Sequence, residues 1–419
     1  MTRTRLALLL ALSLAACKKE APPPEPALGS GAKTADPKAD PKATPDPKST
    51  SGEPGVKAPD KDAITKEEAE KFGKDFAAAL SPCDPNKADG LIDAAKFTAR
   101  FDEKTRAQIG TFDKLGESLC QGLGPESSVR FVGVVQKDGI NRPRIRTIVR
   151  GGVNFLDVLV VREPDKSLKL MDVYSLRNGE EMSGLLSLVG KLISHGEAAA
   201  RAYIDATQLH GAGKYDEAKK RFMEIPAEVR TKVKAIALQG LTIDVQQPAE
   251  VYLASIDEFR KNFPGDPSVT LVEIDAHSLK NDYPKLVASL DSLLAKTNND
   301  PYVMIMRARA WQRAKDYDKA TSDAMAAVTA EPGMWTGDGG DLLVELAVEQ
   351  KKFADAVGYL DKMLSDTITK DALHNVLTGD PAYKALVASK EYKAWRGGKA
   401  PAEKPGKTPV APKSGAQDL

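Results

Sequence analysis

KYDEA at residues 214–218 recurs as DYPKL at 282–286, DYDKA at 316–320 and KFADA at 352–356. The aromatic positions of the first three copies are separated by 68 and then 34 residues. A fixed period of this length is typical of arrays of paired helices, in which each pair buries its apolar face only against the next pair. The recurrence therefore predicts an all-α array over residues 184–396.

The copy around residue 317 carries further small and aromatic residues at regular offsets. They are Ala308, Trp311, Tyr317, Ala320, Ala327 and Pro332. This pattern resembles the tetratricopeptide repeat, and the resemblance implies a solenoid of four or five repeats closed by a capping helix over about 380–395. Ala249 stands where the second repeat should carry its aromatic residue, which makes that repeat atypical.

The first helix of each repeat in such solenoids lines a concave surface, which the resemblance implies is a binding face for a protein partner. Aligning the repeats assigns to this inner face Tyr203, Thr207, His210, Lys234, Asp244, Asp275, Tyr302, Arg309, Gln312, Asp341 and Glu345. We expect Tyr302 and Arg309 to be interface hot spots that folding does not need. An ordinary solvated face is the alternative.

Residues 63–183 have the pattern of an α+β domain, with helices followed by a four-stranded antiparallel sheet. Thr65 to Glu68 predict a capping box before an apolar helix face, and further helices are predicted over about 87–101 and through Leu119. Strands are predicted from β-branched segments at 129–135, 144–149, 153–161 and 168–176. This order of elements resembles the cone-shaped folds of the nuclear-transport-factor and cystatin types.

Two carboxylates of the predicted sheet bear on its function. Asp157 and Asp172 are in phase with apolar strand residues and could face the interior of the domain. A buried carboxylate has a raised pKa and could act as an acid or base, which makes a ligand-binding or enzymatic pocket one hypothesis. The alternative, which we favour, pairs the carboxylates with Arg144, Arg146 or Arg150 as structural ion pairs.

The start of the chain indicates export. Basic residues precede an apolar run at 6–12, and LAAC follows at 14–17. This arrangement resembles a bacterial lipoprotein signal, which implies a signal peptide over 1–16 and a lipidated Cys17 as the membrane anchor. Lys18 stands in place of the aspartate that favours inner-membrane retention, so the outer membrane of a bacterial cell envelope is the predicted location.

Two segments outside the predicted domains have the composition of disordered chain. Residues 17–62 and 397–419 are rich in Pro, Lys, Gly and Ala and have few residues that could form a core. A tether and a tail are therefore predicted.

Two cysteines follow Cys17, namely Cys83 and Cys120. An even pair in an exported protein favours a disulfide between them. Two thiols that never meet are the alternative, because sequence alone does not give their separation.

Composition and motifs argue against several classes of protein. The formal net charge is +1 over 419 residues, unlike that of a dedicated nucleic-acid binder. His195, His210, His277 and His374 lack metal-ligand spacing, and the sequence contains neither a phosphate loop nor a dinucleotide-binding glycine pattern. The sequence thus predicts no metal, no cofactor and no catalysis, and indicates a membrane-anchored scaffold or assembly adaptor that binds an envelope protein.

Overall fold

The computed structural model describes residues 63–397, with gaps at 102, 104–105, 107–113, 124–126, 150–151, 195, 265 and 267. The predicted signal peptide, Cys17 and the tether lie outside the described residues, as does the predicted tail from residue 398 onward. Across the described part of the chain, no helix combines the length and the apolar character needed to cross a bilayer.

Within the described residues, five strands form one antiparallel sheet in the order β1-β2-β3-β4-β5. Their bounds are β1 Ser128–Lys137, β2 Ile140–Val149, β3 Gly152–Arg162, β4 Leu168–Ser175 and β5 Glu180–Glu181. Asp138 and Gly139 form the β1–β2 turn with positive φ angles, which suit the twist of a two-residue hairpin. The predicted antiparallel sheet is confirmed, and β5 adds a short strand that the sequence pattern did not indicate.

Short helices cover one face of this sheet. Their bounds are α1 Lys66–Leu80, α2 Pro85–Gly90, α3 Ala94–Ala99 and α4 Leu115–Leu123. Thr65 and Glu68 form the predicted capping box at the start of α1. Apolar side chains fill the space between helices and sheet, among them Phe72, Phe76, Phe97, Ile145, Leu156, Val158 and Leu170.

The helix predicted over 87–101 is interrupted, so that prediction is wrong in part. Leu91 and Asp93 exchange backbone hydrogen bonds with Leu170 of β4, which takes this stretch out of helical conformation. The Asp93 side chain then accepts a hydrogen bond from the Lys96 N–H and starts α3. Pairing with a strand has outweighed local helix propensity here.

A disulfide joins Cys83 and Cys120, with their Cα atoms 5.5 Å apart. It connects the segment between α1 and α2 to α4. This is the pairing that the sequence predicts.

The second half of the described chain is helical. The helices are α5 Met182–Ser194, α6 Glu197–Gly211, α7 Tyr215–Met223, α8 Ala227–Lys232, α9 Lys234–Asp244, α10 Ala249–Asn262, α11 Val269–Leu279, α12 Tyr283–Lys296, α13 Pro301–Arg313, α14 Tyr317–Ala330, α15 Asp338–Glu349, α16 Phe353–Met363, α17 Lys370–Gly379, α18 Lys384–Ala388 and α19 Lys390–Trp395. Short 3-10 helices occur at Pro332–Thr336 and Pro381–Tyr383.

One turn geometry joins α6 to α7, α11 to α12, α13 to α14 and α15 to α16. Each turn has a residue with positive φ two positions before the repeated aromatic residue, and these residues are Gly213, Asn281, Lys315 and Lys351. The next backbone N–H then donates to the carbonyl five residues earlier, at 2.8–2.9 Å in all four turns. The recurrence in sequence is therefore also a recurrence in backbone geometry.

Small residues allow close approach between helices in this array. Ala206 and Ala308 are fully buried, and a Cβ atom at Gly240 would lie 2.9 Å from the ring of Phe222. A larger residue at Gly240 would force α7 and α9 apart.

Two parts of the array depart from the predicted pattern. The α9–α10 pair lacks the repeated turn, yet α10 begins at Ala249, where the missing aromatic residue was expected. The prediction of a single capping helix near residue 380 is wrong, because two short helices form there. Ser389 is extended and its side chain caps the Tyr392 N–H, which ends α18 and starts α19.

The sheet packs its second face against the array. Phe155 and Leu176 share a buried cluster with Ile274, Leu290 and Met306 from α11, α12 and α13. The boundary predicted between residues 183 and 184 lies within the first turn of α5. The sheet and the helical array share a buried interface.

Candidate functional site

The predicted inner face begins at α6, where Tyr203 and Thr207 are buried inside the array. Tyr203 packs with Leu188 and Leu192 of α5, and burial raises the pKa of its hydroxyl to about 12. The Thr207 hydroxyl donates to the Tyr203 carbonyl at 2.8 Å. Because α5 covers this part of α6, the assignment of both residues to an open binding face is wrong.

Asp244 and Asp275 are held by neighbouring outer helices. Asp244 is 2% exposed and accepts hydrogen bonds from Lys219 of α7 at 2.5 Å and Ser255 of α10 at 2.6 Å. Asp275 accepts a hydrogen bond from the Tyr252 hydroxyl of α10 at 2.8 Å. The assignment of Asp244 to the inner face is wrong, because its carboxylate points between α7 and α10.

The loop between β4 and β5 covers the next part of the inner face. Lys234 donates to the carbonyl of Gly179 at 2.5 Å and forms an ion pair with Asp266 at 3.0 Å. His210 is buried, and its pKa is lowered by that burial and then by the positive charge of Arg177 in the same loop. Lys234 therefore contacts the chain's own sheet domain, and His210 lies within the electrostatic influence of the same loop.

Tyr302 lies beside an ion-pair network at the junction of sheet and array. Arg146 of β2 contacts the Tyr302 ring and donates to Asp300 at 3.0 Å and to Glu331 at 3.1 Å. Arg130 of β1 contacts Glu331 as well. Burial raises the pKa of Asp300 although Arg146 opposes the shift. Tyr302 therefore packs at the junction of sheet and array, so its assignment to an open binding face is wrong, and its dispensability for folding stays a prediction.

The inner face stays open along α13 and α15, beyond the edge of the sheet. Arg309 lies 3.3 Å from Glu345, and Gln312 donates to Glu349 at 2.8 Å, which links the first helices of two consecutive pairs. The side chains of Arg309 and Glu345 remain 19% and 32% exposed, whereas that of Asp300 is 1% exposed. Solvent therefore reaches this stretch.

We name this stretch the Arg309 strip. It consists of Arg309, Gln312, Asp338, Asp341, Glu345, Glu349 and Tyr383. Burial raises the pKa of Asp338 and of Glu345, and Arg309 opposes both shifts. The pKa of Tyr383 is raised by burial and then by the negative charges of Glu345 and Asp341. The strip thus combines one arginine with an excess of carboxylates and an aromatic wall.

Asp300 and Glu331 at the junction and Tyr383 in the strip were missed at the level of sequence. Arg146 was predicted to pair with Asp157 or Asp172, and it pairs instead with Asp300 and Glu331. Arg142, Arg144 and Arg146 alternate along β2 and so share one face of an interior strand. Buried arginines need anionic partners, so this alternation was a signal that the second face is covered by acidic residues.

The two strand carboxylates form ion pairs. Asp157 accepts from Arg144 at 2.6 and 2.8 Å, as the favoured alternative predicted. Asp172 pairs instead with Arg100, and it also accepts hydrogen bonds from the backbone and hydroxyl of Ser183. Arg150 lies outside the described residues. Both carboxylates are buried, and each has a cationic partner.

The histidines do not converge in the described structure. His210 and His277 lie in α6 and α11, His374 contacts the Tyr392 hydroxyl at 2.9 Å, and His195 is outside the described residues. Over the residues that can be described, no group of three or more His, Cys, Asp or Glu side chains is arranged to hold a metal ion.

Comparison with protein-family models gives no match, and comparison with curated proteins gives none either. The repeat resemblance is therefore carried by the residues and turns of this chain alone. Function is inferred from the geometry described above.

Proposed function

We propose that the chain is a lipid-anchored scaffold or assembly adaptor of the bacterial cell envelope. Its helical array is of the tetratricopeptide type, and it binds a protein partner through the Arg309 strip. The single observation that supports this most is the position of the strip, which is the part of the predicted inner face that the sheet and α5 leave in contact with solvent.

The charge of the strip indicates the chemistry of the partner. Four carboxylates, those of Asp338, Asp341, Glu345 and Glu349, accompany the single cation Arg309. A segment that presents Lys or Arg to these carboxylates and one acidic residue to Arg309 would complement this charge pattern, and its association should be faster at low ionic strength. Tyr383 offers an apolar wall with a polar end, a composition common at interface hot spots.

The proposed anchor and tether set the distance from the membrane at which the strip can bind a partner. Acylation of Cys17 would fix the chain to a membrane, and residues 18–62 would link that lipid to the sheet domain, which packs on the array. A flexible chain of this length has an end-to-end distance of roughly 35–40 Å. The strip could then meet partners within the envelope at some distance from the bilayer surface.

Replacing Arg309 and Gln312 with alanine should weaken partner capture while leaving the melting temperature nearly unchanged. Truncation of a hot-spot side chain costs about 2 kcal/mol or more in binding, which is roughly a 30-fold loss of affinity. Affinity capture from solubilised membranes, with quantitative mass spectrometry, measures the effect.

A matched control carries Arg260→Ala and Gln247→Ala, which remove the same side-chain types from the α9–α10 pair, outside the strip. Arg260 is 45% exposed and pairs with Glu273 at 3.2 Å. Capture by the control should equal that of the wild type. Equal loss in both variants, or full capture by the Arg309 variant, would contradict the proposed role of the strip.

A further inference from the structure

One side of the Arg309 strip is a row of carboxylates on α15. They recur at intervals of three or four residues, which places them on one face of the helix. They are Asp338, Asp341, Glu345 and Glu349. All four remain accessible in part, whereas the leucines at 342, 343 and 346 on the other side of α15 are buried. The row rises about 17 Å along the helix and so offers a length of surface to an extended chain.

The strip itself supplies little positive charge for this row. Among the residues that define the strip, Arg309 is the one cation, and it lies 3.3 Å from Glu345. Burial raises the pKa of Asp338 and of Glu345 although Arg309 opposes both shifts. A further cation beside these carboxylates would stabilise their charged form. The strip therefore favours an occupant with more positive than negative charge.

The last described helix packs beside the strip. Tyr392 and Trp395 of α19 share one apolar cluster with Tyr383 of the strip and with Val344 of α15. The sequence continues beyond this helix with residues 398–419, which lie outside the described residues. Seven residues of extended chain reach about 22 Å, which is about twice the diameter of a helix. Residues from about 404 onward can therefore contact α15.

The composition of residues 398–419 complements the strip. Its lysines are Lys399, Lys404, Lys407 and Lys413, and its acidic residues are Glu403 and Asp418. Prolines at 401, 405 and 409 favour an extended chain with three residues per turn. Lys404 and Lys407 would then project from the same side about 9 Å apart, and Glu403 precedes them as a partner for Arg309.

We propose that residues 400–409 bind back onto the Arg309 strip of the same molecule. Lys404 and Lys407 would pair with the carboxylates of α15, and Glu403 would pair with Arg309. The bound segment would cover the surface offered to the envelope partner, so the partner must displace it. This competition rests on the proposed function of the strip, whereas the contact itself can be measured without the partner.

The predicted tether is the other segment with many lysines and prolines. It carries equal numbers of lysines and acidic residues, eight of each over 18–62. It joins the described structure near Ile64, whose carbonyl accepts a hydrogen bond from Asn141 of β2 at 2.9 Å. Its balanced charge and its attachment at the sheet domain both favour residues 400–409 as the occupant.

Carbodiimide crosslinking of the purified full chain, followed by peptide mass spectrometry, tests the contact. Lys404 or Lys407 should be joined to a carboxylate of α15 at low ionic strength, and the yield should fall about fivefold at about 1 M salt, where charges are screened within about 3 Å. An equal mixture of light and 15N-labelled protein should give crosslinks of a single isotope. The proposal is wrong if these crosslinks are absent while the exposed pair Lys96–Glu163 is crosslinked, or if they join two copies.

Variants of the segment test the competition. Lys404→Ser with Lys407→Ser should abolish the crosslink and raise the affinity for the captured partner about tenfold, because a segment on a short linker competes at an effective concentration in the millimolar range. The matched control, Lys38→Ser with Lys42→Ser in the tether, should change neither. Equal partner affinity in the wild type and the Lys404→Ser, Lys407→Ser protein would overturn the competition. An intact crosslink with no partner captured by any variant would overturn the proposed function and support the contact.

Discussion

Replacing Arg146 with methionine is expected to lower the free energy of unfolding by about 3–5 kcal/mol, the usual cost of removing one partner from a buried ion pair. The Arg146 and Asp300 side chains are each 1% exposed. The variant would leave the Asp300 carboxylate buried without its cation and close to Glu331. Urea denaturation followed by circular dichroism measures the loss.

Two further variants separate this effect from a general loss of charge. Arg130 pairs with the same Glu331, and its side chain is 37% exposed. Arg130→Met should therefore lower the free energy of unfolding by no more than about 1 kcal/mol. Arg146→Met combined with Asp300→Asn removes both buried charges, keeps the side-chain oxygen that caps α13, and should recover most of the lost stability. If Arg146→Met alone is as stable as the wild type, this pair does not hold the sheet on the array.

Replacing Cys17 with serine is expected to abolish membrane association. The two or three acyl chains of a processed lipoprotein, at about 0.8 kcal/mol per buried methylene, form an effectively permanent anchor. Serine cannot be acylated through a thioether, so the variant would lose that anchor entirely. Fractionation of cells after a high-salt wash, followed by immunoblotting, gives the distribution between membrane and soluble material.

The control for this experiment is Ser13→Ala, which changes the same segment and keeps the cysteine. It should sediment with membranes as the wild type does. Membrane association of the Cys17→Ser protein after the salt wash would show that the lipid is not the anchor.

The sequence was sufficient to predict features that depend on local periodicity. The spacing of Tyr215, Tyr283 and Tyr317 predicted paired helices, and the turns before them share one backbone geometry. Alternation of apolar residues predicted β1 to β4, because side chains on a strand alternate between its two faces. Each of these signals lies within a few tens of residues along the chain.

Contacts between the two halves could not be predicted in this way. Arg146 and Asp300 are 154 residues apart, and no periodic pattern connects them. Aligning the repeats predicted which side of its helix each of Tyr203 and Tyr302 occupies. It could not predict what covers these side chains, which is α5 for Tyr203 and β2 for Tyr302. The predicted inner face was therefore longer than the part that remains open.

Site-specific photo-crosslinking in cells tests the central claim, that a partner binds along the Arg309 strip. Benzoylphenylalanine at Gln312, within the strip, is compared with the same residue at Asp318, an exposed position on α14 of the same helix pair. We predict a discrete crosslinked partner from position 312 that disappears when Arg309 is also replaced by alanine, and no such product from position 318. A partner crosslinked from position 318 and not from position 312 would contradict the account.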